Sequence, residues 1–124
     1  MSQRTTTVSQ YAALAATTGP QECIDEYRAI YARRRGVLLE GLRQLGLYCP
    51  EPLGAFYIFA ESGETGMPAL ELCYRLLSQA HVLIFPGDAF GTKWTNWMRI
   101  SYLQDESILR QALARMARVL DHGV

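Results

Sequence analysis

Arg99 is the residue whose type and neighbours most clearly suggest chemistry. It lies in the run Trp97–Tyr102, which is typical of a short strand, and it follows a glycine-containing loop that begins at Pro86. An arginine on a strand presents a rigid, permanently charged fork that suits a carboxylate. The loop glycines give a small molecule room to approach the backbone. The pattern suggests a site for a small carboxylic acid, whereas from these residues alone an edge charge paired with a nearby carboxylate is the preferred interpretation.

The charge balance argues against several classes of partner. Lys+Arg and Asp+Glu each number 12, so the formal net charge is zero and no basic excess favours nucleic acid. The single lysine, Lys93, lies in a polar loop, where an exposed ammonium stays protonated and is a poor Schiff-base nucleophile. No signal peptide and no apolar run of the roughly 20 residues that a membrane helix needs is recognisable. We expect a cytoplasmic protein that binds neither nucleic acid nor membrane.

The cysteines and histidines form no metal-binding pattern. Cys23, Cys49 and Cys73 are widely spaced, and neither His81 nor His122 lies at ligand spacing from them. We expect reduced thiols that are mostly buried, and no metal site. We interpret His81 as a residue at a helix end rather than a catalytic base.

The elements that must position Arg99 comprise both helices and strands. Apolar spacing predicts helices over Val8–Thr17, from Pro20 to an end at Gly46, from Pro68, and after a cap at Asp105. Aromatic and β-branched runs predict strands over Ala55–Ala60, Val82–Phe85 and Trp97–Tyr102. The order α, α, β, α, β, β, α predicts an α/β (α+β) two-layer sandwich. Its helices cover one face of a small, mainly antiparallel three-stranded sheet.

Two clusters on these elements have competing interpretations. Arg33–Arg35 are consecutive in the long helix and point in different directions, so we interpret them as a solvated face rather than a phosphate-binding patch. Trp94 and Trp97 flank the end of the loop before Arg99. Packing is the preferred interpretation for both, and a pocket wall is the alternative.

Four motifs occur in an order that resembles a known family. Gly54-Ala55-Phe56-Tyr57 opens the first strand, Pro86-Gly87 and Phe90-Gly91 follow the second, Arg99-Ile100-Ser101-Tyr102 forms the third, and the last helix carries Leu113 and Leu120. With these motifs the chain, from about Val8 to Leu120, resembles the C-terminal small domain of the class I/II (fold type I) aminotransferases. Those enzymes use pyridoxal 5′-phosphate.

The resemblance implies roles for individual residues. Arg99 matches the arginine that holds the substrate α-carboxylate in a bidentate pair. The other implied positions are Gly54, Phe56 and Tyr57 near the substrate entrance, and Pro86, Gly87, Phe90 and Gly91 in a turn that shapes the same edge. In a full-length homodimeric enzyme the implied reaction is amino-group transfer between an amino acid and a 2-oxo acid. No catalytic, cofactor-binding or metal-binding residue is implied within this chain.

The resemblance also shows what this sequence lacks. The family's Schiff-base lysine lies in a Ser-rich context in a large domain, and no such context is present here. We therefore expect residues 19–124 to be the small domain and residues 1–18 a frayed end and short helix left from the link to a large domain. The chain alone is expected to be inactive and to bind no cofactor. A stand-alone, non-catalytic carboxylate-binding or assembly module is the alternative, and lyase or decarboxylase chemistry on the same fold stays open.

Overall fold

The chain forms two compact units. The computed structural model describes residues 4–121, apart from the side chain of Glu64, so residues 1–3 and 122–124, including His122, lie outside the described part. The first unit comprises residues 1–30 and the second residues 31–124. The division falls inside a helix, and the domain boundary predicted after Thr18 stays a prediction.

The first unit contains helix α1, Thr7–Thr18, and the beginning of helix α2, Glu22–Gln44. Thr6 caps α1, because its hydroxyl accepts a hydrogen bond from the Ser9 N–H at 3.4 Å. This cap starts the helix one residue earlier than predicted and orders Thr6 and Thr7, which the sequence places in a frayed end.

The second unit begins within α2, which buries Leu38, Leu39 and Leu42. The helix end is made by Gly46, whose φ of 74° is a left-handed conformation that suits glycine. The Leu47 N–H then bonds back to the Leu42 carbonyl at 3.0 Å. The predicted long helix with a glycine at its end is therefore present.

Three strands form the predicted antiparallel sheet. They are β1, Tyr57–Glu61, β2, Phe85–Pro86, and β3, Trp97–Ser101, in the order β1-β3-β2. Both pairings are antiparallel, and Arg99 on the central strand lies opposite Phe59 on one side and Phe85 on the other. The predicted fold class is thus confirmed.

Helices α3, Ala69–Arg75, and α4, Glu106–Asp121, complete the second unit. The single helix predicted from Pro68 continues beyond α3 as a π-helical turn, Leu76–Ala80. His81 ends this turn with a left-handed φ of 54°, and its backbone N–H bonds to the Leu76 carbonyl. The histidine is an exposed helix-end residue, as the sequence predicts.

The two faces of the sheet differ because strand side chains alternate. One face is buried in the helical core and carries Ile58, Ala60, Met98 and Ile100. The other face is only half-buried and carries Tyr57, Phe59, Glu61, Trp97, Arg99 and Ser101. We call this second set the open face, and it is the face that holds Arg99.

Two strand predictions need correction. The segment Val82–Phe85 is not a buried strand, because Leu83 and Phe85 are 66% and 49% exposed and only Phe85 and Pro86 pair with β3. β2 lies at an edge of the sheet, and side chains alternate along this extended segment, so Ile84 is buried in the core, Val82 packs partly buried against it, and Leu83 and Phe85 face outwards. The first strand starts at Tyr57 rather than Ala55, because Ala55 has a φ of 61° that lies outside the β region.

The interpretation of Arg33–Arg35 as a solvated face is wrong for two of the three side chains. Arg34 donates to the Leu103 carbonyl and pairs with the Asp105 carboxylate, which links α2 to the segment before α4. Arg35 donates to a carbonyl at 2.8 Å in the segment 51–52 and pairs with a carboxylate there at 3.2 Å. Arg33 is exposed as predicted. Tertiary partners far along the sequence therefore determine the role of this cluster.

Candidate functional site

Arg99 lies on the open face among aromatic rings. Its guanidinium carbon is 4.3 Å from the ring centres of both Tyr57 and Phe90, and 5.4 Å from the ring centre of Phe85. Such contacts engage the face of the planar guanidinium and leave its in-plane N–H donors available. The rings therefore restrict the orientation of the side chain without consuming its hydrogen-bonding capacity.

The Arg99 side chain has no acidic partner among the side chains that the structure describes, and its buried Nε makes no hydrogen bond. A buried guanidinium donor without an acceptor is costly. The edge ion pair, which the residues around Arg99 alone favour, is not found in the described part of the chain. A half-buried, preoriented cation with free donors is suited to bind a carboxylate from outside.

Of the residues predicted near the substrate entrance, which are Gly54, Phe56 and Tyr57, only part lies against Arg99. Tyr57 contacts the guanidinium, and Phe56 contacts Tyr57 with ring centres 4.4 Å apart. Gly54 lies in open space, since a Cβ built on it meets no atom within 4 Å. Phe56 and Tyr57 thus form one wall beside Arg99, and a side chain Cβ at Gly54 would not contact this wall.

The predicted turn forms the opposite wall. Phe90 contacts Arg99, and Pro86 pairs in the sheet with Met98. Gly87 is buried, and a Cβ there would lie 2.4 Å from the Trp94 carbonyl oxygen. Gly91 has a φ of 129°, a conformation that favours glycine. Both glycines therefore allow the chain to fold tightly beside Arg99.

An aromatic cluster on the open face was not identified from the sequence as part of this site. Phe59 contacts Phe90, Trp94 and Trp97, with ring centres 6.1, 5.3 and 5.8 Å apart. The two tryptophans also meet edge to face at 5.8 Å. Both tryptophans pack against other aromatic rings, as the preferred interpretation of the sequence predicts. This packing lies on the open face, which also holds Arg99. The alternation of Tyr57, Phe59, Trp97 and Arg99 along two strands is the signal that places them together.

The described residues supply no buried lysine to which pyridoxal phosphate could be attached as a Schiff base. The single lysine, Lys93, is exposed in a turn of 3₁₀ helix, Thr92–Trp94. In the part of the chain that is described, no cluster of three or more potential metal ligands occurs. The described residues around Arg99 combine a cation with aromatic rings, an arrangement that is chemically able to bind and orient an anion.

The thiols are free and take no part in this arrangement. Cys49 and Cys73 are buried, whereas Cys23 is exposed, so the predicted burial holds for two of the three. Burial raises the pKa of both Cys49 and Cys73 from 9.0 to about 11. These two thiols are therefore protonated and unreactive at neutral pH.

Known proteins are similar to this chain in sequence and in fold. A family model described as "Aminotransferase class I and II" matches residues 1–116. Aromatic-amino-acid aminotransferase 2 of Thermococcus litoralis is 36% identical over 116 residues, which cover 92% of this chain and 30% of the relative. Aspartate/prephenate aminotransferase of Thermus thermophilus is 39% identical over 125 residues, with 96% and 32% covered. The crystal structure of an aromatic aminotransferase from Pyrococcus horikoshii matches with a TM-score of 0.87 and 36% identity, covering 91% of this chain and 31% of that one.

The fold, the motif order and these matches define a class of protein: this chain belongs to the class I and II aminotransferase family. The family implies pyridoxal phosphate as cofactor of the full-length enzymes. The chain spans about 30% of the length of the curated relatives that it matches. Within residues 4–121, no helix is both long and apolar enough to cross a membrane.

Proposed function

We propose that this chain is the substrate-binding small domain of an aminotransferase and that Arg99 holds the substrate α-carboxylate. The whole enzyme would transfer an amino group between an amino acid and a 2-oxo acid. The observation that carries the proposal is the Arg99 guanidinium, which is oriented by Tyr57 and Phe90 and has no acidic partner among the described side chains. A dedicated carboxylate-binding arginine has this combination of preorganisation and free donors.

The contribution of this chain is to fix one end of the substrate. Two parallel N–H···O bonds from Arg99 hold a carboxylate in one plane. The rings of Tyr57 and Phe90, each 4.3 Å from the guanidinium carbon, would shield part of that pair from water and so strengthen it. Orienting the α-carbon against a separately bound cofactor is how such a pair favours reaction. The single lysine of the sequence is exposed rather than buried beside Arg99, so we propose that the chain is inactive without a large domain.

The exposed apolar residues of α1 support a partner for the first unit. Tyr11 and Leu14 are 70% and 57% exposed. In a stand-alone module these side chains would have to be covered by the chain's own core or by a second copy. We therefore place the small-domain proposal ahead of the stand-alone module. A cytoplasmic location and a homodimeric full-length enzyme belong to the same proposal.

A carboxylate titration tests the proposed role of Arg99. The isotope-labelled 124-residue chain is titrated with 2-oxoglutarate, and the side-chain N–H signals of Arg99, Trp94 and Trp97 are followed by NMR. A charge-assisted pair worth about 1.5–3 kcal/mol corresponds to a Kd of roughly 10–100 mM. We expect the Arg99 Nε–H signal to shift saturably in this range.

Matched variants separate this site from general ion binding. Arg99→Leu retains an apolar side chain against the rings and should abolish the saturable shift. Arg115→Leu changes an exposed arginine on α4 and should leave the titration unchanged. Equal binding by wild type and Arg99→Leu would contradict the proposal. Transaminase turnover by the pure chain would contradict its predicted inactivity.

A further inference from the structure

The segment before β1 determines where one wall of the Arg99 site lies. Phe56 and Tyr57 follow directly after Ala55, and Tyr57 is 4.3 Å from the guanidinium carbon of Arg99. Ala55 is one of two non-glycine residues with positive φ in the described part of the chain, at 61°. An alanine in this region is strained, and its Cβ favours a return to negative φ. Something must therefore hold Ala55 in place.

Tyr102 provides two contacts that hold this segment. Its hydroxyl donates to the Ala55 carbonyl at 2.7 Å, and its backbone N–H donates to the Phe56 carbonyl at 3.1 Å. The side chain is 2% exposed, and its ring meets the Tyr31 ring edge to face at 6.5 Å. Burial raises the pKa of the Tyr102 phenol, so the hydroxyl keeps its proton and remains a donor at neutral pH.

Tyr102 and Arg99 lie close together along the chain, since β3 ends at Ser101. The same short stretch thus supplies both the proposed carboxylate-binding cation and the hydroxyl that holds the segment leading to the Phe56–Tyr57 wall. Arg35 fixes the earlier part of this segment by donating to the Pro52 carbonyl at 2.8 Å. The strained Ala55 therefore lies between Pro52, whose carbonyl is bonded by Arg35, and Phe56, whose carbonyl is bonded by Tyr102.

We infer that Tyr102 is a positioning residue of the carboxylate site: its hydroxyl holds Ala55 in the left-handed conformation that places Phe56 and Tyr57 beside Arg99. The inference rests on the proposed function of Arg99 and extends it. Tyr102 acts through Ala55 and needs no contact with the substrate.

A double-mutant cycle between Tyr102 and Ala55 tests this inference. Tyr102→Phe removes only the hydroxyl, and the loss of one neutral hydrogen bond should weaken 2-oxoglutarate binding about fivefold. Ala55→Gly tolerates positive φ without strain. In the Ala55→Gly background, Tyr102→Phe should therefore weaken binding less than about twofold. Tyr74→Phe removes the hydroxyl of a tyrosine that is 65% exposed and serves as the matched control.

The titrations use chains whose NMR spectra show that they are folded, so the Kd reports the site rather than stability. If Tyr102→Phe does not fold, Ala55→Val provides a second route, because a β-branched residue opposes positive φ while Tyr102 is retained. We expect Ala55→Val to weaken binding as well. Unchanged binding in the tested variant, or equal effects of Tyr102→Phe in both backgrounds, would overturn the inference while leaving Arg99 in its role. Absence of any Arg99-dependent binding in wild type would instead refute the proposed function itself.

Discussion

Gly87 offers a sharp test of how the turn beside Arg99 is built. A Cβ on this residue would lie 2.4 Å from the carbonyl oxygen of Trp94 and 2.6 Å from that of Trp97. Both obstacles are backbone atoms, so no side-chain rotation relieves them. Bringing the closer contact to 3.0 Å requires a backbone movement of roughly 0.6 Å. Gly87→Ala therefore forces the turn away from β3.

The expected cost follows from this geometry. Overpacking a well-packed site costs about 1–3 kcal/mol, and two backbone contacts place Gly87→Ala near the upper end, at about 3 kcal/mol. Because Trp97 opens the strand that carries Arg99, the displacement should also weaken carboxylate binding. The loss of stability and the loss of binding should therefore occur together.

Urea unfolding followed by tryptophan fluorescence measures this directly, since both tryptophans adjoin the turn. Gly36→Ala is the matched control, because a Cβ at this exposed helical position meets nothing within 4 Å. Replacing a helical glycine should stabilise the chain by about 0.5–1 kcal/mol. A Gly87→Ala variant within about 0.5 kcal/mol of wild type would refute the steric argument.

Further predictions concern the arginine contacts and the thiols. Arg34→Ala should lower the free energy of unfolding by about 2 kcal/mol, because it leaves a carbonyl and a carboxylate at 103–105 without their arginine partner. Arg33→Ala, at an exposed side chain, should change the free energy of unfolding by less than about 0.5 kcal/mol. Urea unfolding of both variants measures these two changes. Native thiol labelling at pH 8 should modify Cys23 alone, and rapid labelling of Cys49 or Cys73 would contradict their burial. Burial raises the pKa of these two thiols above 9.0 in the folded chain, so with rising pH the thiols lose their protons first in the unfolded chain. The free energy of unfolding should therefore fall between about pH 9 and about pH 11. Cys49→Ala and Cys73→Ala together should flatten this fall, and an unchanged slope would exclude the thiols as its cause.

Local patterns account for much of the fold. The helix end at Gly46, the strand run around Arg99 and the antiparallel pairing of the last two strands all have local signatures, and each of these predicted features is present. They are local because backbone conformation and side-chain alternation depend mainly on neighbouring residues. The family resemblance rests on the same kind of short motif, and the matches confirm it.

The features that the sequence does not predict depend on distant contacts. Arg34 finds its carbonyl partner 69 residues away, so no local pattern distinguishes it from the exposed Arg33. The left-handed Ala55 is held by Tyr102, 47 residues away. Propensity alone extends β1 back to Ala55 because it carries no information about such a bond. The role of Arg99 stays a prediction, since a free guanidinium shows capacity to bind rather than what is bound.

Transaminase kinetics of a chimera test the central claim most directly. The segment of the Thermus thermophilus relative that this chain matches is replaced by this chain, and kcat/KM for an amino acid is measured. If Arg99 holds the α-carboxylate, Arg99→Lys, which keeps the charge but loses the planar fork, should lower kcat/KM by roughly 100-fold, while Arg115→Lys leaves it unchanged. An active chimera in which both variants retain wild-type kcat/KM would contradict the account.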